Sequence, residues 1–216
     1  MLGSRLVLVG AGDFGREVLW TCMELNAARH LWDGICFIDD RLDAARAALQ
    51  RYRVDIPVIS SIEDFSPSNH DLLLCTIGDP RTKLSICEKL VERNGKFCAV
   101  IHPSASIASR SVLGRGVFIA CYASISVDVS IGDFVIINSF SGVGHDGVLE
   151  NGCTLSAHCD VTGHAHLERG VFLGSHAAVM PGVRVGEFAK VAAGSVAFRN
   201  VKAGETVIGV PAKALF

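Results

Sequence analysis

The sequence predicts an α/β domain followed by a parallel β-helix, and three observations carry that prediction. From Ile101 to Val191 every sixth residue is aliphatic without interruption, sixteen positions in register. The residue two before each of these is mostly small or slim, as at Ala105, Ser111, Ala123, Ser141, Gly147, Cys153, Cys159, Ala165 and Ala177. Ahead of the repeat, apolar runs of strand length alternate with stretches of helical spacing. A six-residue period buries one aliphatic side chain per short strand and then turns a corner, and the small residues suit a narrow triangular interior. Three faces of six residues make an eighteen-residue coil, so the repeat gives roughly five coils and ends near Val191.

The elements follow in order. Leu6–Val9 is an apolar run leading into Gly10-Ala11-Gly12-Asp13-Phe14-Gly15, as a buried parallel strand entering a helix would be. Val18, Leu19, Cys22 and Leu25 give a helix over 16–25. Ile35–Ile38 is a second strand, closed by Asp39-Asp40, and Leu72–Cys75 is a third. Pro80 opens a helix running to about Asn94, at a position where its missing N–H costs little. One strand over 97–101 hands the chain to the repeat. Residues 1–98 therefore read as a Rossmann-like domain and 99–216 as the β-helix domain.

Composition narrows the function. Half of the 216 residues are hydrophobic, 19% are charged and the net charge is −2, so the chain packs a core and lacks the basic footprint of a nucleic-acid binder. Eight cysteines show neither CxxC pairs nor a disulfide-scaffold spacing, and most lie in apolar runs, where a thiol is a small core residue. This reads as a protein of a reducing cytoplasm. No export signal or membrane-spanning stretch is evident, so no membrane insertion is expected.

Gly10-x-Gly12-x-x-Gly15 fits the dinucleotide fingerprint, with Asp39-Asp40 about where a ribose-binding acid would lie. Fewer than 100 residues precede the repeat, which leaves no room for a second mononucleotide half. The diphosphate of a nucleotide-sugar would use the same helix N-terminus. A plain βα turn that binds nothing is the competing reading.

The hexapeptide repeat, Ile136-Ile137-Asn138…Gly144-His145-Asp146, the Gly209-Val-Pro-Ala-Lys213 tail and the glycine loop in front together resemble the sugar O- and N-acetyltransferases of the NeuD/PglD type. The resemblance covers essentially the whole chain. It implies a left-handed β-helix that binds acetyl-CoA, a Rossmann-like domain that holds a nucleotide-linked amino sugar (UDP- or GDP-linked) and a role in surface-glycan synthesis. It also implies His145 as general base and Asp146 as its orienter. A neutral imidazole accepts a proton near pH 7 while the acceptor amine attacks a thioester. Adjacent residues on a strand point to opposite faces, so the pair must sit at a corner of the coil.

One coil after His145 comes Gly163, which leaves room for the pantetheine arm and offers an N–H to the thioester oxygen. The resemblance assigns Gly10, Gly12, Asp13, Phe14, Asp39, Asp40, Gly78, Asn138 and His164 to the acceptor. Many relatives carry histidine where this chain has Phe14. Lys190, Arg199, Lys202 and Lys213 are candidates for the CoA phosphates. Three-sided rods suit closed rings, so a homotrimer with sites between neighbouring β-helices is expected.

Three alternatives stand beside this reading. One is sialic-acid-type O-acetylation, and another is a non-catalytic nucleotide-sensing module. The third is a zinc-dependent β-helix hydratase drawing on His158, His164, His166 and His176. Such hydratases usually end in a long helix, whereas this chain stops soon after the repeat, so no metal is expected.

Overall fold

The computed structural model describes residues 4–215. Five strands, β1 (Arg5–Val9), β2 (Gly34–Ile38), β3 (Val58–Ser60), β4 (Asp71–Cys75) and β5 (Lys96–Phe97), form one parallel sheet in the order β3-β2-β1-β4-β5. Leu6 to Val9 have no solvent exposure because helices cover both sides of the sheet. Leu6 and Leu8 face α1 (Asp13–Arg29) and α2 (Leu42–Arg51), whereas Val7 and Val9 face α3 (Pro80–Glu92).

Several elements differ from the sequence reading. Helix α1 begins at Asp13, directly out of the glycine loop, and runs to Arg29. Its first turn shares the glycine loop, and although Phe14 continues the spacing of Val18 and Cys22, the two flanking glycines mask the helix start. The three-residue β3 pairs at the sheet edge and was too short to stand out; α2 also went unread. The strand expected over 97–101 is two strands: β5 closes the first sheet, and β6 (Val100–Ile101) opens the β-helix.

Seventeen two-residue strands, from β6 to β22 (Val196–Ala197), follow six residues apart and stack in parallel eighteen residues apart. They form three faces and wind as a left-handed β-helix. The prism extends one strand beyond the aliphatic series, because Ala197 still points inward and is buried. On the first face the parallel strand β23 (Thr206–Ile208) and the antiparallel β24 (Lys213–Ala214) extend the sheet. Corners are turned by residues with φ near +60°, among them Tyr122, Phe140, Asp146, His158, His164 and His176.

The first face carries strands centred on Ile101, Ile119, Ile137 and Leu155, and the N-terminal α/β unit lies against it. Its outward residues Val100, Phe118, Ile136 and Thr154 are buried in consequence. The rings of Phe97 and Phe134 meet edge to face at 4.9 Å, and Leu84 fills the space where a side chain at Gly152 would lie. Lys83 of α3 is fully buried here, and its Nζ donates to Thr154 Oγ1 at 2.7 Å and to the Cys153 carbonyl at 3.2 Å. Burial pushes this amine down to about 8.

Candidate active site

His145 and Asp146 turn the corner between the second and third faces, in Gly144-His145-Asp146-Gly147. Asp146 adopts φ +58°, which aspartate tolerates better than most residues, and the strand alternation breaks there as a shared role requires. Its Oδ2 lies 2.8 Å from His145 Nδ1. The other ring nitrogen, Nε2, faces Gly163 one coil on, where a Cβ would come to 2.6 Å from it. The imidazole is half-exposed, held on one nitrogen and open on the other, which is how an oriented base is built. The Gly163 N–H makes no hydrogen bond within the protein among the described residues and remains available to an oxyanion.

His164 stands beside the pair, its ring edge-on to His145 at 5.0 Å and its Nε2 3.9 Å from Asp146 Oδ2. Ligand atoms of His145, Asp146 and His164 lie within 4.8 Å of one another. The remaining histidines take other roles. His166 is paired with Glu150 at 2.7 Å, and the His158 and His176 rings lie 18° from parallel, so their in-plane lone pairs do not converge on a common point.

A cavity of about 490 Å³ lies at the carboxyl ends of the parallel strands, lined by Gly10, Gly12, Asp13, Phe14, Asp39, Asp40 and Gly78. These are the seven residues expected there from the N-terminal half. Gly10 has φ +107°, and a Cβ on Gly15 would collide with the Gly10 carbonyl, so glycine lets α1 pack tightly on the loop. Helix α1 has no side-chain cap, so its first N–H groups are free to meet an anion.

Asp39 is buried, and its two oxygens accept the N–H groups of Ala11 at 2.8 Å and Arg41 at 2.9 Å. Asp40 Oδ1 accepts from Ile62 and Glu63, which leaves its Oδ2 for a ligand. Asp39 therefore shapes the loop, and Asp40 is the carboxylate presented to the cavity. Phe14 also lines a second groove of about 370 Å³ with Trp20, Phe118 and Cys121, and that groove ends at Asn138.

The chain is similar to known proteins along its whole length. Residues 5–90 match the PglD N-terminal domain. The GDP-perosamine N-acetyltransferase of Escherichia coli O157:H7 is 26% identical over 214 residues, 95% of this chain and 94% of that protein. PerB from Caulobacter crescentus, solved in complex with CoA and GDP-perosamine, superposes with a TM-score of 0.86 at 27% identity, over 100% of this chain and 99% of that one. The acetyltransferase domain of PglB from Neisseria gonorrhoeae, solved with acetyl coenzyme A, gives 0.83 at 25%, over 99% and 100%. The serine acetyltransferase of Buchnera aphidicola is 32% identical over 120 residues, 56% of this chain; the chain spans only 39% of its length.

Along its whole length the chain is similar to sugar acetyltransferases of the NeuD/PglD type.

Within one protomer the two halves of the expected site are apart. The glycine-loop cavity lies within the α/β unit that covers the first face, and the groove to Asn138 reaches the edge between the first and second faces. His145, Asp146, Gly163 and His164 occupy the edge opposite the first face. The four candidate cations are exposed and unpaired among the described residues, but they are spread over the far end of the prism. Lys190 projects from the first face and Lys213 from β24 on the same sheet. Arg199 lies at the edge between the second and third faces, and Lys202 at the edge returning to the first.

Sequence reasoning did not single out Arg41, Ile62, Thr76, Ile77, Thr82 and Ile86, which complete the cavity, or Trp20 in the groove. Thr76 was the most findable, following β4 as Gly10 follows β1; its hydroxyl donates to the Gly10 carbonyl at 2.6 Å. The cysteines are packing groups, and burial pushes the Cys153 thiol up to about 12 and Cys36 to about 11.

Proposed function

We propose that the protein transfers the acetyl group of acetyl-CoA to the amine of a nucleotide-linked amino sugar. The observation that carries this reading is His145, fixed through Nδ1 by Asp146 and open through Nε2 over Gly163, in a chain that also holds a nucleotide-sized cavity. The sugar nitrogen attacks the thioester carbonyl and a C–N bond forms. His145 Nε2 takes the proton released by the amine, the C–S bond breaks, and the proton passes to the departing thiolate. The Gly163 N–H steadies the oxyanion. Asp146 keeps the imidazole in the tautomer that accepts at Nε2.

Residues 1–98 hold the nucleotide-sugar and residues 99–216 the acetyl-CoA. Gly10, Gly12 and Asp13 meet the diphosphate at the α1 N-terminus, Asp40 and Gly78 meet the nucleoside, and Phe14, Asn138 and His164 face the sugar. Lys190, Arg199, Lys202 and Lys213 are the pool from which the CoA phosphates draw cations. Because the catalytic edge lies opposite the face that carries the nucleotide cavity, the site is complete only when a neighbour's catalytic edge meets this protomer's groove. A closed homotrimer supplies that arrangement three times. Among the described residues no helix is long and apolar enough to cross a membrane, and a cytoplasmic enzyme supplying surface-glycan synthesis fits this chemistry.

The names of the full-length relatives put GDP-perosamine first among acceptors to test. A panel of UDP- and GDP-linked amino sugars, assayed for thiol release from acetyl-CoA, tests the reading directly. Release with an amino sugar, absent with its hydroxyl counterpart, is the expected result. Release only with a hydroxyl acceptor would turn the reading to O-acetylation, and none with any acceptor would overturn it.

A further inference from the structure

We propose that His145, Asp146 and His164 together bind a transition-metal dication of the zinc class, and that the bound ion shuts the catalytic pair down. The second half rests on the acetyl-transfer reading above; the first stands on geometry alone. One donor atom from each of the three side chains lies within 4.8 Å of the other two. Asp146 Oδ2 is the shared member, 2.8 Å from His145 Nδ1 and 3.9 Å from His164 Nε2. Around a tetrahedral ion with bonds of about 2.0–2.1 Å, donor atoms stand about 3.3 Å apart, so the two measured gaps bracket that value. All three side chains are exposed, and small rotations about their own bonds close the triangle on an ion.

The backbone presents these donors in a fixed frame. Asp146 and His164 occupy the same place in successive coils, with φ of +58° and +60°, and the His164 N–H donates to the His145 carbonyl at 2.9 Å. The corner therefore throws both side chains off one edge at the coil spacing. Neighbouring charges are already committed. One coil below, Asp128 accepts from Arg110 through both oxygens, at 2.7 and 2.6 Å. His166 is held by Glu150, and the stacked rings of His158 and His176 belong to another edge. Two imidazoles and one carboxylate suit zinc and its first-row neighbours, whereas magnesium and calcium ask for shells of oxygen.

Such an ion is incompatible with general-base work at His145. In the tautomer that accepts at Nε2, Nδ1 carries the hydrogen that Asp146 receives. An ion at Nδ1 displaces that proton to solvent and takes the Asp146 oxygen as well. The ring loses its orienting partner, and the dication draws electron density from Nε2, which becomes a weaker proton acceptor. Widening the gap between Nδ1 and Oδ2 from 2.8 Å toward about 3.3 Å also swings Nε2 away from Gly163. His164 is the residue that turns a catalytic pair into a chelate. His145 and Asp146 alone offer two donors, and the third is what holds an ion against water.

Calorimetric titration of the metal-free, full-length protein with zinc chloride reads the site directly. One ion should bind to each protomer; His164→Asn should weaken it roughly tenfold or more, and His176→Asn should leave it unchanged. Asparagine tolerates the φ of +60° found at both positions, so both variants keep the corner. Cobalt(II) in place of zinc should show the strong visible bands of a low-coordinate ion in the wild type and lose them in His164→Asn. In the acetyl-transfer assay zinc should inhibit the wild type, with activity restored by EDTA. His164→Asn should need about tenfold more zinc for the same fractional loss of its own metal-free rate. Equal zinc affinity in wild type and His164→Asn, or binding by neither, would overturn the site. Binding without inhibition would sink the shut-down, as would transfer that depends on added zinc. A metal-free wild type that acetylates no acceptor would overturn the acetyl-transfer reading, while calorimetry and the cobalt spectra still decide the site.

Discussion

Lys83 offers a quantitative test of how the two halves of the molecule are joined. It is fully buried between α3 and the first face of the prism, bonded to Thr154 Oγ1 and the Cys153 carbonyl, and faced by the thiols of Cys75, Cys87 and Cys153 and by Asp79. Burial lowers its pKa from 10.5 to about 8. Below pH 8 folded and unfolded chains both hold the proton, and the folded state bears the full cost of a buried charge. Between 8 and 10.5 the unfolded chain keeps a proton that the folded chain has shed, so stability rises with pH; above 10.5 the gain is complete. Across the window this amounts to about 3 kcal/mol, of which about 2 kcal/mol has accrued by pH 9.5.

Lys83→Met keeps the length of the side chain and removes the titration. The Cys153 carbonyl retains its bond from the Ile136 N–H, while the buried Thr154 hydroxyl loses its partner, at a cost of about 1–3 kcal/mol. The two proteins should thus be close in stability at pH 7, with the wild type ahead by about 2 kcal/mol at pH 9.5. Urea unfolding of both proteins at fixed protein concentration, from pH 7 to 9.5, measures the difference. Stability differences that stay constant with pH would refute the argument.

Four further outcomes test the site. His145→Ala should lower turnover by roughly a hundredfold or more with the oligomer intact by sedimentation, and Asp146→Asn should lower it less. Gly163→Ala puts a methyl 2.6 Å from His145 Nε2, so kcat should fall sharply while affinity for the nucleotide-sugar holds, as separate kinetic and binding measurements would show. Asp39→Ala releases the Ala11 N–H and loosens the glycine loop; nucleotide-sugar affinity should drop about tenfold with CoA affinity unchanged. Exhaustive chelation should leave acetyl transfer intact, and activity lost on chelation and restored by zinc would favour the His145–Asp146–His164 cluster as a metal centre.

The six-residue series alone determined the prism, because in a solenoid every contact recurs at a fixed sequence separation and neighbours follow from adding eighteen. That arithmetic placed Gly163 beside His145 and His158 beside His176, and the coordinates agree. The glycine loop was equally legible, since its tight turn and close helix approach are local demands on backbone shape.

Other features had no fixed separation to read. The expected reach of Asp39 and Asp40 into a ligand pocket was half redirected, because the loop's own N–H groups claim three of their four oxygens. Lys83 looks in sequence like any polar position on a helix; only docking of that helix on the prism buries it. Which face the α/β unit covers likewise depends on side-chain fit at Phe118, Ile136 and Phe134, scattered along the repeat. Tertiary packing alone therefore decided that the glycine-loop cavity, in the unit docked on the first face, stands away from the prism edge that carries His145.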